Sequence, residues 1–142
     1  MLRNLKINDI GDFSLNNKSA VGKVVQIYSS NTFKIIFALN KVIFKFNCKL
    51  FNTKLKDNDN IKPILPIICD ITDLAFDKKD ISNLLLDNTK LLKIYCHNFD
   101  KEGYLLVDFF NLDDNKSINE QLIDNDLIDS DVSKDTFSFI KL

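Results

Sequence analysis

Tryptophan is absent, and histidine and arginine occur once each, as His97 and Arg3. Glycine is confined to Gly11, Gly22 and Gly103, which excludes a glycine-rich loop that cradles phosphates on backbone N–H groups. The cysteines, Cys48, Cys69 and Cys96, are odd in number and form no CxxC pair. A structural zinc site takes four N or S ligands at short paired spacings, so three scattered thiols and one imidazole do not spell one. They read as buried reduced thiols of an intracellular chain. A Cys–His nucleophile pair is excluded as well: Cys96 and His97 are adjacent, and neighbours on a strand point to opposite faces, out of hydrogen-bond reach. No run of 18 apolar residues occurs, so no membrane span is expected. The start of the chain, Met1-Leu2-Arg3-Asn4-Leu5-Lys6, is too polar for a signal peptide.

What is present is enough for one domain. The chain has 142 residues, 45% of them apolar, which supports a real hydrophobic core. Lysine occurs 18 times and asparagine 17 times, and phenylalanine and isoleucine are frequent. These residues share A/T-rich codons and point to an A/T-rich genome. Net charge is only −1, but it is unevenly spread. Residues 13–56 carry eight lysines and no acid, whereas residues 57–142 carry nine lysines against 18 acids. Such a dipolar chain suits a polyanion on one side, head-to-tail stacking, or docking on an acidic protein. The plainer reading is that the lysines are the solvated faces of strands.

Periodicity supplies the elements. Residues 20–28 alternate and are β-branched, so they predict a strand, and Ser29-Ser30-Asn31 is turn chemistry. Residues 32–39 predict a second strand, Asn40-Lys41 a two-residue turn, and residues 42–51 a third strand. In that strand Phe44, Phe46, Cys48 and Leu50 share one face, and Lys45, Asn47 and Lys49 the other. Residues 52–62 are polar and loop-like. Pro63 and Pro66 follow, the latter suited to a first helical turn. Apolar spacing over 67–86 predicts one helix broken near Asp77–Asp80, or two short ones. Residues 90–97 and 104–110 predict two further strands joined by a turn. Ser117 with Glu120 three residues on is a capping box that opens a helix running to about Asp126. The tail over 135–142 alternates and predicts an extra strand or a docking segment. The order β-β-β, helix, β-β, helix fits an α+β, mainly β fold: a five-stranded OB-type barrel with two or three helices.

Four stretches carry a family resemblance. Val21-Gly22-Lys23-Val24-Val25-Gln26-Ile27-Tyr28-Ser29-Ser30-Asn31-Thr32-Phe33 and Phe99-Asp100-Lys101-Glu102-Gly103-Tyr104-Leu105-Leu106-Val107 are the first two. Phe44-Lys45-Phe46-Asn47-Cys48-Lys49-Leu50 and Ser117-Ile118-Asn119-Glu120-Gln121-Leu122-Ile123 are the others. In order and spacing they resemble the staphylococcal nuclease (thermonuclease) family, above all its short versions encoded by large DNA viruses. The resemblance implies a barrel domain over 13–127, an N-terminal segment 1–12 and a C-terminal tail 128–142.

The family's chemistry needs Ca²⁺ held by carboxylates, a glutamate acting on water and two arginines on the phosphate. A hard cation takes oxygen ligands, and the charge built in the transition state must meet fixed donors. Here the family's two motif aspartates align with Ser29 and Asn31. Its acidic loop aligns with Asn52-Thr53-Lys54-Leu55, one arginine with Asn47 or Lys49, and the other with Tyr104. The resemblance therefore implies a pseudoenzyme with no metal and no cofactor. The charge split, the Phe-rich tail and the lack of a clean stacking motif favour a protein-interaction or assembly module, and the viral flavour of the resemblance with the A/T bias extends this to a minor component of a large viral particle. A second reading is a single-strand nucleic-acid binder that uses Lys34, Lys45, Lys49, Lys101 and Tyr104 as a basic and stacking surface. A third is a metal-dependent nuclease with unusual acids drawn from Asp100, Glu102, Asp108 or Asp113. A fourth is an unrelated small β-rich domain.

Overall fold

The computed structural model describes residues 14–68, 86 and 89–131. Three strands come first: β1 (Lys18–Ser29), β2 (Thr32–Leu39) and β3 (Val42–Leu50). A two-residue strand, β4 (Thr53–Lys54), precedes a 3₁₀ turn at Lys62–Ile64 and a single helical turn, α1 (Leu65–Ile68). Then come β5 (Leu92–Phe99), β6 (Leu105–Asn111), helix α2 (Ile118–Asp124) and the short β7 (Asp129–Ser130). Five strands close into a barrel in the order β1-β2-β3-β6-β5 and back to β1. Every pairing is antiparallel except β3 with β6, which run parallel over Cys48–Leu50 and Leu105–Val107.

Local sequence explains the closures. The β2–β3 turn places both Asn40 (φ 53°) and Lys41 (φ 68°) in the left-handed region. That geometry matches strand twist in a two-residue hairpin, and asparagine tolerates it best among non-glycine residues. β1 is bent by register shifts between Val24 and Gln26 and between Ile27 and Ser29. The first leaves consecutive Val24 and Val25 both buried. Their carbonyls are met from outside the barrel, by the Thr89 hydroxyl at 2.8 Å and the Leu86 N–H at 2.7 Å. Gly22 lies where β1 crosses close to β2 and β5. A Cβ there would sit 2.4 Å from the Ile36 carbonyl oxygen and 2.8 Å from Ile94 Cδ1.

The inward-facing residues form one core that includes Val24, Ile27, Phe33, Ile35, Phe37, Leu92, Ile94, Val107 and Phe109. α2 closes one end through Ile118 and Leu122, and α1 contributes Leu65 and Ile68. The Ser117 hydroxyl accepts from Glu120 N at 3.1 Å, which is the predicted cap. Asn119, on the buried face of α2, is a polar rivet. Its Oδ1 accepts from Phe109 N at 3.0 Å, and its Nδ2 donates to Val107 O at 3.3 Å and Asp108 Oδ1 at 2.9 Å.

The expected mainly β fold with a five-stranded barrel is present. Some boundaries move. β1 begins two residues earlier than its alternation suggests, and β5 runs on to Phe99 through a bulge at His97 and Asn98. The polar stretch 52–62 is not all loop: β4 pairs with β7, and Asp131 N donates to Asn52 O at 2.7 Å. This ribbon and the burial of Ile128 tie the segment after α2 to the barrel. The helix expected within 67–86 and the alternating tail 135–142 fall largely outside the described residues, as does Cys69. Cys48 and Cys96 are buried and free. No described helix is long and apolar enough to cross a membrane.

Candidate functional site

The β1–β2 turn, the end of β3, β4 and the start of β6 meet at an open cleft of about 530 Å³. Its walls include Ser29, Asn31, Lys49, Thr53, Lys54 and Tyr104. Of the positions that the resemblance aligns with a catalytic site, Ser29, Asn31, Lys49, Thr53, Lys54, Leu55 and Tyr104 therefore converge, although they come from four segments. Asn52 does not line the cleft. It takes a left-handed turn (φ 56°) and contributes its backbone carbonyl to the β4–β7 ribbon.

The floor of the cleft is a neutral, self-satisfied network. Ser29 Oγ donates to Asn31 Oδ1 at 3.1 Å, and Thr32 Oγ1 donates to the same oxygen at 2.9 Å. Asn31 Nδ2 donates to Thr53 Oγ1 at 3.3 Å, and Thr53 Oγ1 donates to Leu50 O at 2.8 Å. Ser29, Asn31 and Thr32 are all buried. Buried polar groups of this kind are stable only when matched, and these match one another.

Lys49 is the one charged group aligned with a family arginine that reaches the cleft. Its ammonium lies 4.5 Å above the Tyr104 ring. It also lies 3.2 Å from Glu102 Oε2 and 4.0 Å from Asp100 Oδ2. Asp100 is itself fixed by the turn, its Oδ1 accepting from the backbone N–H groups of Glu102 and Tyr104 at 2.9 Å. Lys54 is exposed at the rim.

Of the acids near this cleft, the sequence named Asp100 and Glu102 as unusual nuclease acids and gave no role to Asp59. Residues 13–56 contain none, yet the fold delivers Asp100 and Glu102 from the β5–β6 turn and Asp59 from the loop after β4. Asp59 Oδ2 accepts from Ser30 N at 3.1 Å, and Ser30 Oγ donates to Asn60 O at 3.4 Å. The signal available was the Asp57-Asn58-Asp59-Asn60 run, a typical source of turn-capping oxygens. These acids accept backbone N–H groups or face Lys49. Nearby, Lys56 bridges Asp126 at 2.8 Å and Asp129 at 2.9 Å, and these bonds, Asp126 first, hold its ammonium above the ordinary lysine range.

A Ca²⁺ site needs six to eight oxygens, several of them charged. The cleft floor offers hydroxyls and one amide that already bond to each other, so the donor set does not fit the ion. Among the described residues no group of three or more His, Cys, Asp or Glu could hold a metal.

The candidate nucleic-acid residues divide. Lys34 and Lys45 lie on the outer face of β2–β3, where Lys34 pairs with Asn47 and Lys45 with Ile36. Lys49 pairs with Thr32 at the cleft end of the same row. Lys101 is apart, exposed in the β5–β6 turn. Tyr104 is half-buried under Lys49, with its face already occupied.

No family model, curated protein or solved structure matches the chain.

A second polar site went unread in the sequence. His97 Nε2 lies 2.8 Å from Asp108 Oδ2, and the His97 ring stacks on Phe51 at 3.8 Å between centroids. Asp108 also accepts from Asn119, so β5, β6 and α2 are joined through one carboxylate. Cys96 is buried and His97 faces outward, as their adjacency requires. Asp108 pairs with Tyr95, two residues before His97 on the same face, so the contact is a diagonal cross-strand pair set by register, which the periodicity of one strand does not encode.

Proposed function

We propose that the chain is a non-catalytic binding module on an OB-type, staphylococcal-nuclease-like barrel, and that its role is protein assembly. Two observations support the barrel assignment. The strand order β1-β2-β3-β6-β5 with β3 parallel to β6 is compatible with an OB-type barrel. The positions aligned with the family's site also share one cleft.

The observation that carries the non-catalytic reading is Asn31. It stands where a carboxylate would bind the ion, and its oxygen is taken by Ser29 and Thr32. Phosphodiester hydrolysis in this family places a cation, a base and two guanidinium groups around one phosphate. Loss of a single such electrostatic donor costs roughly 3–4 kcal/mol of transition-state stabilisation in other enzymes. Here several are replaced together. The expected outcome is no cleavage of single- or double-stranded DNA or RNA in Ca²⁺, Mg²⁺ or Mn²⁺. Metal-dependent turnover abolished by Asp100→Ala would overturn the reading.

A second reading is favoured by Lys34, Lys45 and Lys49 on one outer face: single-strand nucleic-acid binding. Phosphate contacts make affinity fall steeply with salt. Micromolar or tighter binding of an oligonucleotide at physiological salt, lost in Lys34→Ala/Lys45→Ala, would favour this reading over assembly.

A further inference from the structure

The apolar side chains that the barrel leaves uncovered are concentrated at the end that carries the β2–β3 turn. Ile43 is 74% exposed, Val42 51% and Val21 46%. Leu91 and Leu112 flank the paired Leu92 and Asn111 at the same end and are also exposed. Among the described residues the one other exposed large hydrophobic side chain is Leu55, which lines the cleft. Apolar residues scattered singly over a surface need no explanation, but a concentration of this kind marks an interaction site.

Strand register gives this surface its shape. Ile43 pairs with Ala38 and Ala38 with Val21, so an aliphatic row crosses β3, β2 and β1 on the outer face. Two residues along the strands, Lys45 pairs with Ile36 and Ile36 with Lys23, which sets a lysine-bearing row beside the first. Lys41 stands exposed at the turn, and Lys93, paired with Val21, carries the basic character onto β5. Residues 13–56 contain no acid, so these three strands present positive charge alone. Neither row holds an aromatic ring on β1–β3, so a nucleic-acid base finds nothing there to stack on. Adjacent strands lie about 4.8 Å apart, which puts Val21 and Ile43 roughly 10 Å from each other across Ala38. An α-helix rises about 1.5 Å per residue, so its positions i, i+3 or i+4, and i+7 span the same distance.

We propose that the outer face of β1, β2 and β3 at this end receives an acidic amphipathic helix of another protein, laid across the strands. The helix covers Val21, Ala38 and Ile43 with its apolar stripe, and carboxylates along its flank meet Lys41 and Lys45. Recognition of a helix through such anchors is a recurring mode of protein docking, and the lysines set the partner's charge. This rests on the assembly reading and names the chemistry of its partner.

The test is fluorescence anisotropy of a labelled synthetic peptide titrated with the full chain. The peptide is a helix former with leucines at i, i+3 or i+4 and i+7 and glutamates along one flank. A scrambled peptide of the same composition, whose leucines share no face, and a single-stranded dT oligonucleotide are run beside it. Ile43→Ser and Lys45→Glu alter exposed positions, and circular dichroism with thermal unfolding verifies that both fold. The amphipathic peptide is expected to bind with micromolar affinity and to weaken in high salt, where surface charge is screened. Binding is expected to be about ten-fold weaker or more for the scrambled peptide and for each variant, the loss expected when a buried anchor is truncated. Absence of binding up to about millimolar concentration, on the weak side of specific association, would overturn the helix partner. Equal binding of the scrambled peptide, or binding indifferent to both variants, would overturn it as well. The oligonucleotide separates this failure from that of the assembly reading. If neither probe binds, the helix partner alone is lost, whereas dT that binds more tightly than the peptide and is insensitive to Ile43→Ser would remove both.

Discussion

The ammonium of Lys49 lies 4.5 Å above the ring of Tyr104, so two residues aligned with the family's arginine positions contact each other across the cleft. A cation over an aromatic face at an exposed site is worth about 0.5–1 kcal/mol. The accompanying pair with Glu102, which is 68% exposed, adds about 0–1 kcal/mol. The contact is therefore too weak to hold the fold, and Tyr104 can be exchanged.

Tyr104→Arg returns one guanidinium to the cleft. It does not return the carboxylates, because Ser29 and Asn31 remain neutral and bonded to each other. The expected result is a folded variant with no Ca²⁺-dependent cleavage of a fluorogenic oligonucleotide. Measurable cleavage would mean that the cleft holds the ion without anionic ligands.

Asn119→Ala removes three bonds that join α2 to β6. It strands the Phe109 N–H in the core, at a cost of about 1–3 kcal/mol for an unsatisfied buried group. It also releases Asp108 from one side, which loosens the partner of His97. We expect about 2–4 kcal/mol lost in urea unfolding once the cavity is included. Faster amide exchange at Phe109 should accompany it. A loss below about 0.5 kcal/mol, the level of an ordinary surface change, would show that α2 does not depend on this rivet.

Much of this was legible in residue order. The alternation of Phe44, Phe46, Cys48 and Leu50 against Lys45, Asn47 and Lys49 gave β3 its two faces, because strand side chains alternate strictly. Ser117 and Glu120 marked the start of α2 through a bond that spans only three residues. The site was half legible. Aligned positions named Ser29, Asn31, Lys49, Lys54 and Tyr104, but their convergence depends on the parallel β3–β6 pairing, which no local pattern encodes. Glu102 reaches Lys49, and Asp59 reaches Ser30, from loops far along the chain, and His97 meets Asp108 through the register of β5 on β6. Contacts of that separation are set by closure of the barrel, not by any periodicity.

Gly22→Ala tests that closure directly. The new methyl would meet the Ile36 carbonyl, Phe37 Cβ and Ile94 Cδ1 within 2.4–2.8 Å. Two of the three are held by strand backbone and have little room to move. Overpacking of this kind costs about 1–3 kcal/mol or more, so Tm should fall by several degrees or soluble expression should drop. Gly103→Ala is the useful contrast. Its φ of 92° makes a side chain strained, but nothing lies within 4 Å of the site, so its cost should be smaller and confined to the turn. Equal tolerance of both changes would mean that β1 does not approach β2 and β5 this closely.

The buried thiols set a limit on alkaline stability. Desolvation raises the pKa of Cys96 from 9.0 to about 11. Cys48 is pushed higher still, by burial first, with a backbone bond at Phe33 opposing and Cys96 adding to the rise. Below the ordinary thiol value both thiols are protonated in folded and unfolded chain alike, and their burial favours the fold without pH dependence. Above it the unfolded chain gives up these protons while the folded chain keeps them, so the unfolded state binds fewer protons and stability falls as pH rises. The slope is at most about 1.4 kcal/mol per pH unit for each thiol. It begins near pH 9 and for Cys96 ends near pH 11. Urea unfolding at a series of pH values from 8 to above 10 should show this decline in wild type. In Cys48→Ala/Cys96→Ala the absolute stability will be lower because of the cavities left, but the decline should be shallower, and the difference in slope isolates the thiols from lysine and tyrosine titration. Parallel curves for the two proteins would mean that neither thiol resists ionisation in the fold.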